Sequence, residues 1–123
     1  MVEQLISHDK DKTISSFEIM EDNVLLDGTA LSEAGLLENM AQTAALSNGY
    51  EAFLIGETPP LGFIGAVKNL KIFLLPRIGQ KIETNISVKH QVLNASIVEA
   101  QVFLEKEMIA SCELKIFLNP QID

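Results

Sequence analysis

The stretch LSEAGLLENMAQTAALSNGY, residues 31–50, decides the fold. It is apolar on most sides of a helical wheel and carries one charge in its middle, Glu38. Ser32 can cap a helix here, Glu33 suits its first turn, and Gly49 is a plausible stop. A helix without a continuous polar face must be covered on most of its circumference, so we expect it to lie at the centre of the domain.

The rest of the chain has the composition of a sheet. Residues 13–26 resemble one or two strands, after a short amphipathic lead-in at residues 1–12. Four segments rich in Ile, Val, Phe and Leu follow the helix, with turn residues between them: 61–75, 82–93, 96–104 and 108–118. We therefore predict an α+β fold in which an antiparallel sheet of about five to six strands wraps around one long central helix.

Alternation along these segments assigns their faces. In the second segment the even-numbered residues, including Val88 and His90, share the apolar face, as in a strand that is wet on one side. In the fourth segment the residues expected to point inward are Met108, Ala110, Cys112, Leu114, Ile116 and Leu118. Cys112 is therefore predicted to be a buried structural thiol rather than a nucleophile.

Composition narrows the class of protein. The 123 residues, 47% hydrophobic and 21% charged, fit a single globular domain spanning residues 1–123. A net charge of −8 argues against nucleic acid. The sequence has neither an apolar run of about eighteen residues nor a secretory leader, so we expect no membrane and a cytoplasmic location. One cysteine excludes an internal disulfide and a CxxC site, and we expect no metal and no cofactor.

Basic side chains are concentrated in residues 61–91, where five of them accompany a single acid. They are Lys68, Lys71, Arg77, Lys81 and Lys89. Such a face can attract an acidic partner or a phosphate-bearing ligand, although outward positions on a sheet are commonly basic for solvation alone. Lys68 and Lys71 have opposite parity in an unbroken strand, so they share a face only if a bulge separates them.

Two segments carry a resemblance to a known family. LLENMAQTAA, residues 36–45, resembles the helix motif of the β-hydroxyacyl-acyl-carrier-protein dehydratases. GFIGAVKNLKIFLLPRIGQKI, residues 62–82, is similar to the next strand pair of that family, including a central glycine and a Pro-x-x-Gly turn. The resemblance covers nearly the whole chain and implies the hotdog fold. The short loop and the ENMAQT helix look most like the dehydratase-related proteins of polyketide-like or aryl-polyene-type gene sets.

The resemblance implies a set of site residues. In that family a histidine abstracts the C2 proton of a 3-hydroxyacyl thioester while a helix acid handles the departing hydroxyl. Carried over residue by residue, Glu38 takes the acid position and Gln42, at i+4, supports it. Gly65 matches the glycine of the following strand and is expected, with Phe63 and Asn39, to contact substrate. A carboxylate on so apolar a helix is expected to be desolvated.

The catalytic histidine has no counterpart in this sequence. The family places it in a Gly- and Pro-rich loop before the helix, and the corresponding LLDGTALSEAG has none. His8 lies in the lead-in, where the family often has a histidine that is not the base. His90 is expected to be a hydrogen-bonded core or interface histidine rather than a relocated base.

Three functions therefore remain open. The first is a dehydratase-like protein of fatty-acid or polyketide-type biosynthesis that binds acyl thioesters of acyl carrier protein or coenzyme A. The second is a hotdog thioesterase in which Glu38 activates water without a histidine. The third is a non-catalytic partner of an active dehydratase. The resemblance implies a homodimer, or a heterodimer with a related hotdog subunit, that forms one continuous sheet with the acyl tunnels at its interface.

Overall fold

The computed structural model describes residues 4–8, 12–23, 25–54, 56, 61–92 and 95–119. Within these ranges it describes only the backbone path of residues 4–8, 47–54, 61–63, 92 and 118–119. The side chains of Phe63, His8 and Leu118 therefore lie outside the description.

One antiparallel sheet curves around one helix. The elements are β1 (Gln4–His8), β2 (Lys12–Glu18), β3 (Leu26–Asp27), β4 (Ala30–Leu31), α1 (Glu33–Leu54), β5 (Leu61–Ile72), β6 (Lys81–Val92), β7 (Ala95–Leu104) and β8 (Glu107–Asn119). The six long strands form a sheet of order β1-β2-β6-β7-β8-β5, and β3 pairs with β4 in a small ribbon. The predicted central helix and wrapped sheet are confirmed. β1 was missed, because the lead-in shows no alternation and becomes a strand through its pairing with β2.

Helix α1 begins as predicted and ends later. The Gly35 amide donates to the Ser32 hydroxyl over 3.1 Å, which satisfies one of the unpaired amides of the first turn. The helix continues past Gly49 to Leu54, so the predicted stop at Gly49 is wrong. A glycine inside a helix costs only about 1 kcal/mol relative to alanine, and good helix formers among residues 50–54 continue the segment.

The core lies between α1 and the concave face of the sheet. It contains helix residues such as Leu36 and Met40, which pack against alternate residues of the strands. Along β7 the burial alternates at every residue, as expected of a strand covered on one face. Helix α1 packs chiefly against β2, β6 and β7. β5 lies at the sheet edge and receives less cover from the helix.

Two predicted faces are interrupted by register irregularities. In β6 the inward alternation holds through Val88, and the pairing with β7 then shifts before His90, which is exposed. The placement of His90 on the apolar face is therefore wrong. In β8 the expected inward residue Met108 is 39% exposed, whereas Ile109 and Ala110 are both buried. The shift between the pairs of Val102 and Phe103 with β8 changes the parity at that end of the strand.

Candidate functional site

The two sides of α1 have opposite character. Its buried side carries Leu36, Asn39, Met40, Thr43 and Ala44, all between 0% and 2% exposed. Its opposite side carries the exposed residues Ala34, Glu38 and Ala45, with Gln42 half-buried beside them. These positions recur at the helical spacing of three to four residues. This chain's own sheet therefore covers one side of α1 and leaves the side that carries Glu38 open.

Glu38 and Gln42 form a hydrogen-bonded pair on the open side. The Gln42 side-chain amide donates to one carboxylate oxygen of Glu38 over 2.8 Å. The bond engages one carboxylate oxygen of Glu38 and leaves the second available. The expected contact between the two residues is present, but the expected desolvation of Glu38 is not supplied by this chain, because its side chain is exposed.

Asn39 lies away from that pair, in the core. It is 0% exposed, and its side-chain carbonyl accepts a hydrogen bond from the Thr84 hydroxyl of β6. Its backbone carbonyl accepts from Thr43 over 2.8 Å, and the Thr43 hydroxyl lies 2.8 Å from that of Ser15 in β2. The structure therefore places Asn39 against the sheet, and its expected contact with substrate stays a prediction. Adjacent helical residues point about 100° apart, so Asn39 faces the sheet when Glu38 faces outward.

This buried polar cluster of Ser15, Asn39, Thr43 and Thr84 was missed by the sequence analysis. A signal was present, because Thr84 occupies an apolar face of β6 where an unpaired hydroxyl is costly. The cluster ties α1 to β2 and β6 by side-chain hydrogen bonds. It therefore sets the rotation of the helix about its axis, and with it the direction of Glu38.

Gly65 lies in β5 at a register irregularity against β8, between the pairs of Ile64 and Ala66. A Cβ atom at this position would lie 2.1 Å from a ring carbon of Phe117. The aromatic ring occupies the space that any side chain at Gly65 would need. A larger residue here would therefore have to displace the Phe117 ring. Gly65 itself is exposed at the sheet edge.

The apolar residues of β5 are incompletely covered. Ile64 and Val67 pair with buried Ile116 and Leu114 of β8, so they belong to the concave, helix-facing side. Each is nevertheless 37% exposed, and Leu70 is 42% exposed. The concave side of the domain is therefore exposed to solvent near β5, both along the open side of α1 and along this strand.

Neither histidine is shown beside Glu38. His90 pairs with Ile97 beyond the β6 irregularity and is exposed. His8 belongs to β1, at the sheet edge opposite β5, and its side chain is not described. The residue that would act as a base therefore has no position next to Glu38 in the described part of the chain.

Cys112 is structural, as predicted. It is 4% exposed, and its thiol lies 3.7 Å from the Met40 sulfur on the buried side of α1. Burial raises the pKa of the Cys112 thiol to about 11 from an ordinary 9.0. A thiol with so high a pKa is almost wholly protonated at neutral pH and is a poor nucleophile.

The bulge that would place Lys68 and Lys71 on one face of β5 is present. β5 pairs Lys68 with Glu113 and Lys71 with Ser111, and an irregularity between the two lysines restores their common parity. Both lysines are exposed. Arg77 lies elsewhere, in the loop after β5, where it bridges to Ala30.

Two further properties concern the described residues only. No helix among them combines the length and the apolar character needed to cross a membrane. Within the same ranges, no three His, Cys, Asp or Glu side chains are grouped so that they could hold a metal ion.

A single long helix packed against the concave face of a curved antiparallel sheet of this strand order defines a hotdog-fold protein. The sequence profile of the ApeP-like family, described as ApeP dehydratase, matches residues 1–123, and the chain belongs to that family. No curated protein matches the chain.

Solved structures share the fold at low sequence identity. The dehydratase heterocomplex ApeI:P from Xenorhabdus doucetiae matches with a TM-score of 0.83 and 15% identity, covering 98% of this chain and 83% of that one. The protein smu.793 of Streptococcus mutans UA159, bound to acetyl CoA, matches at 0.76 and 13%, covering 98% and 90%. A hypothetical thioesterase protein of Streptococcus pneumoniae TIGR4, solved with coenzyme A, matches at 0.77 and 9%, covering 98% and 90%.

Proposed function

We propose that this chain is a subunit of a dehydratase acting on 3-hydroxyacyl thioesters, with Glu38 as its acid and with the base supplied by a second hotdog subunit. The observation that carries the proposal is the Glu38–Gln42 hydrogen bond on the side of α1 that the chain's own sheet leaves open. Membership of the ApeP dehydratase family supports the reaction class.

The proposed chemistry assigns each proton. The base from the second subunit removes the C2 proton, the C3–O bond breaks, and protonated Glu38 gives its proton to the departing hydroxyl, which leaves as water. Gln42 orients the Glu38 carboxyl, and backbone amides near Gly65 at the β5 edge polarise the thioester carbonyl. Polarisation matters because negative charge develops on that oxygen as the C2 proton leaves. Phe63 and Gly65 would contact the substrate, and Asn39 would position the helix.

A second subunit would also complete the site physically. In the single chain Glu38 is exposed, so water would not be excluded from the reaction at its carboxylate. A hotdog subunit docked along β5 would cover Ile64 and Val67 and close the open side of α1. One solved neighbour is a heterocomplex of dehydratase subunits, which supports such an arrangement.

The substrate carrier would be the pantetheine arm of an acyl carrier protein or of coenzyme A. Two solved neighbours hold acetyl CoA or coenzyme A, which favours a thioester ligand for this fold. We place the reaction in fatty-acid or polyketide-type biosynthesis in the cytoplasm, a reducing compartment compatible with the free thiol of Cys112.

One observation favours thioester hydrolysis as a second candidate. The described residues provide a carboxylate on the open side of α1 without a neighbouring histidine, and a carboxylate that activates water is sufficient for hydrolysis. A purely structural subunit is the remaining alternative, since an active partner would then perform both proton transfers.

Offering two thioesters separates the three functions. The purified chain, alone and with a hotdog protein encoded by a neighbouring gene, would be given a 3-hydroxyacyl and a saturated acyl pantetheine thioester. We expect enoyl product only when both subunits are present. Free thiol from both substrates would indicate a thioesterase, and a partner whose rate is unchanged by Glu38→Gln in this chain would indicate a structural subunit.

A further inference from the structure

Among the described strands β5 forms one edge of the sheet, and it exposes apolar side chains. It is the terminal strand of the six-stranded sheet, and Ile64, Val67 and Leu70 are 37%, 37% and 42% exposed. An uncovered apolar edge strand invites non-specific strand addition, so soluble proteins cover it or blunt it. The exposed apolar residues of β5 therefore favour pairing with a further strand. Charge and register at the edge determine which strand can pair with it.

The edge of β5 carries two lysines and two irregularities in its register with β8. Lys68 and Lys71 are the only charged residues of β5 and lie on the same face. Within the described part of the chain neither forms an ion pair or a side-chain hydrogen bond. Register irregularities fall between Ile64 and Ala66 and between the two lysines. Lysines and bulges on an edge strand are the devices that oppose indiscriminate edge-to-edge pairing.

Pairing with a second copy would bring these cations together. In an antiparallel pair of β5 strands, the register that best matches the apolar residues sets Val67 opposite its own copy and Ile64 opposite Leu70. The Lys68 residues of the two copies are then diagonal neighbours, with their Cα atoms roughly 7 to 8 Å apart. A register shifted toward the end of the strand sets Lys68 directly opposite Lys71, which is worse. The charge of −8 on each chain adds a longer-range repulsion.

We propose that Lys68 and Lys71 select the occupant of the β5 edge. The occupant is a related hotdog subunit whose own edge strand carries Asp or Glu opposite these lysines, and it is preferred over a second copy of this chain. This inference rests on the proposed function, because it takes the second subunit to dock along β5. Complementary charge across the paired edges contributes selectivity, while the apolar residues contribute the buried area.

A charge-swap experiment tests the selection without the natural partner. The variant Lys68→Glu/Lys71→Glu supplies an otherwise identical subunit with an acidic edge. Sedimentation velocity and a fluorescence binding titration would compare wild type alone, the variant alone and the equimolar mixture. At about 20 mM salt we expect the mixed pair to be roughly tenfold tighter than either self-pair, falling toward roughly twofold at about 500 mM as screening increases.

Two controls separate the edge from general charge effects. The variant Lys89→Glu/Lys106→Glu changes the net charge by the same amount at two exposed positions outside β5, and its mixture with wild type should gain much less. Lys68→Gln/Lys71→Gln removes the cations without adding acids and should self-associate more tightly than wild type. Hydrogen exchange in the mixed pair should show new protection of the β5 amides.

The outcomes distinguish this inference from the proposed function. If all combinations associate equally well, or if the control mixture gains as much as the swapped one, charge selection by Lys68 and Lys71 is wrong while docking along β5 stands. If no combination associates, and the hotdog protein encoded by a neighbouring gene also leaves the exchange of the β5 amides unchanged, docking along β5 is wrong as well.

Discussion

The two sides of helix α1 differ in how far the chain buries their side chains and provides hydrogen-bond partners for them. On the buried side Asn39 and Thr43 have hydrogen-bond partners in the helix and in the sheet, and Met40 packs in the core. On the open side Glu38 accepts a hydrogen bond from Gln42 and remains exposed. Stability therefore depends on one side of the helix, and the proposed chemistry depends on the other. Adjacent letters of the ENMAQT motif belong to different sides.

The largest expected effect is on activity, at Glu38. Replacing this acid with glutamine keeps its size and removes the transferable proton, so we expect dehydratase turnover by the completed site to fall by roughly 10²- to 10⁴-fold. The free energy of unfolding should change by less than about 0.5 kcal/mol, because the side chain is exposed. Steady-state kinetics and urea unfolding measure the two effects.

Glu33→Gln is the matched control for Glu38→Gln. Glu33 is an exposed acid in the first turn of the same helix, and its replacement should leave turnover unchanged. Equal activity of wild type and Glu38→Gln would remove the proposed role. A loss of unfolding free energy well above about 0.5 kcal/mol in Glu38→Gln would show that the open side also supports the fold.

The next largest effect is expected on stability, at Asn39. Asn39→Ala removes the acceptor of the buried Thr84 hydroxyl and leaves a small cavity, so we expect a loss of about 2 to 3 kcal/mol in unfolding free energy. Gln42→Ala, on the open side, should cost less than about 0.5 kcal/mol. Urea unfolding of both variants compares the sides directly, and similar losses would contradict their division.

A third prediction concerns the close approach of β5 and β8. Gly65→Ala would place a methyl group against the Phe117 ring, which must move, so we expect a loss of about 1 to 3 kcal/mol in unfolding free energy. In a Phe117→Ala background the same change should cost little. A double-mutant cycle by urea unfolding measures this coupling. Equal costs in both backgrounds would show that Phe117 is not the obstacle.

The sequence predicted the architecture well because hydrophobic periodicity is a local signal. The apolar helix, its Ser32 cap and the strict alternation of β6 through Val88 each depend on neighbouring residues. The errors fall where a non-local pairing changes parity. His90 and Met108 were assigned to the apolar face because an irregularity that reverses parity has no mark in the strand itself.

The candidate site was predictable in part. The helical spacing of Glu38 and Gln42 anticipated their hydrogen bond, and the parity conflict of Lys68 and Lys71 anticipated a bulge between them. The burial of Asn39 was not anticipated, because a polar residue next to a site acid in sequence suggests a ligand contact. Its partner, the Thr84 hydroxyl, lies 45 residues away in the sequence. The openness of Glu38 depends on which strand lies at the sheet edge, which composition does not reveal.

The smallest expected effect is a pH dependence that belongs to the buried side alone. The Cys112 thiol has a pKa of about 11 in the folded chain and about 9.0 when solvated. Between these values the unfolded chain ionises and the folded chain does not, so the unfolded state binds fewer protons and stability falls as pH rises. Below about pH 9 the thiol contributes its full effect. By pH 10 we expect a loss of roughly 1 kcal/mol relative to Cys112→Ala, which has no thiol to titrate. Urea unfolding of both proteins at pH 8, 9 and 10 isolates this difference, since lysine and tyrosine titration is common to both. If the two stabilities stay parallel, water reaches Cys112 and the side of α1 that carries Met40 is less closed than its burial indicates.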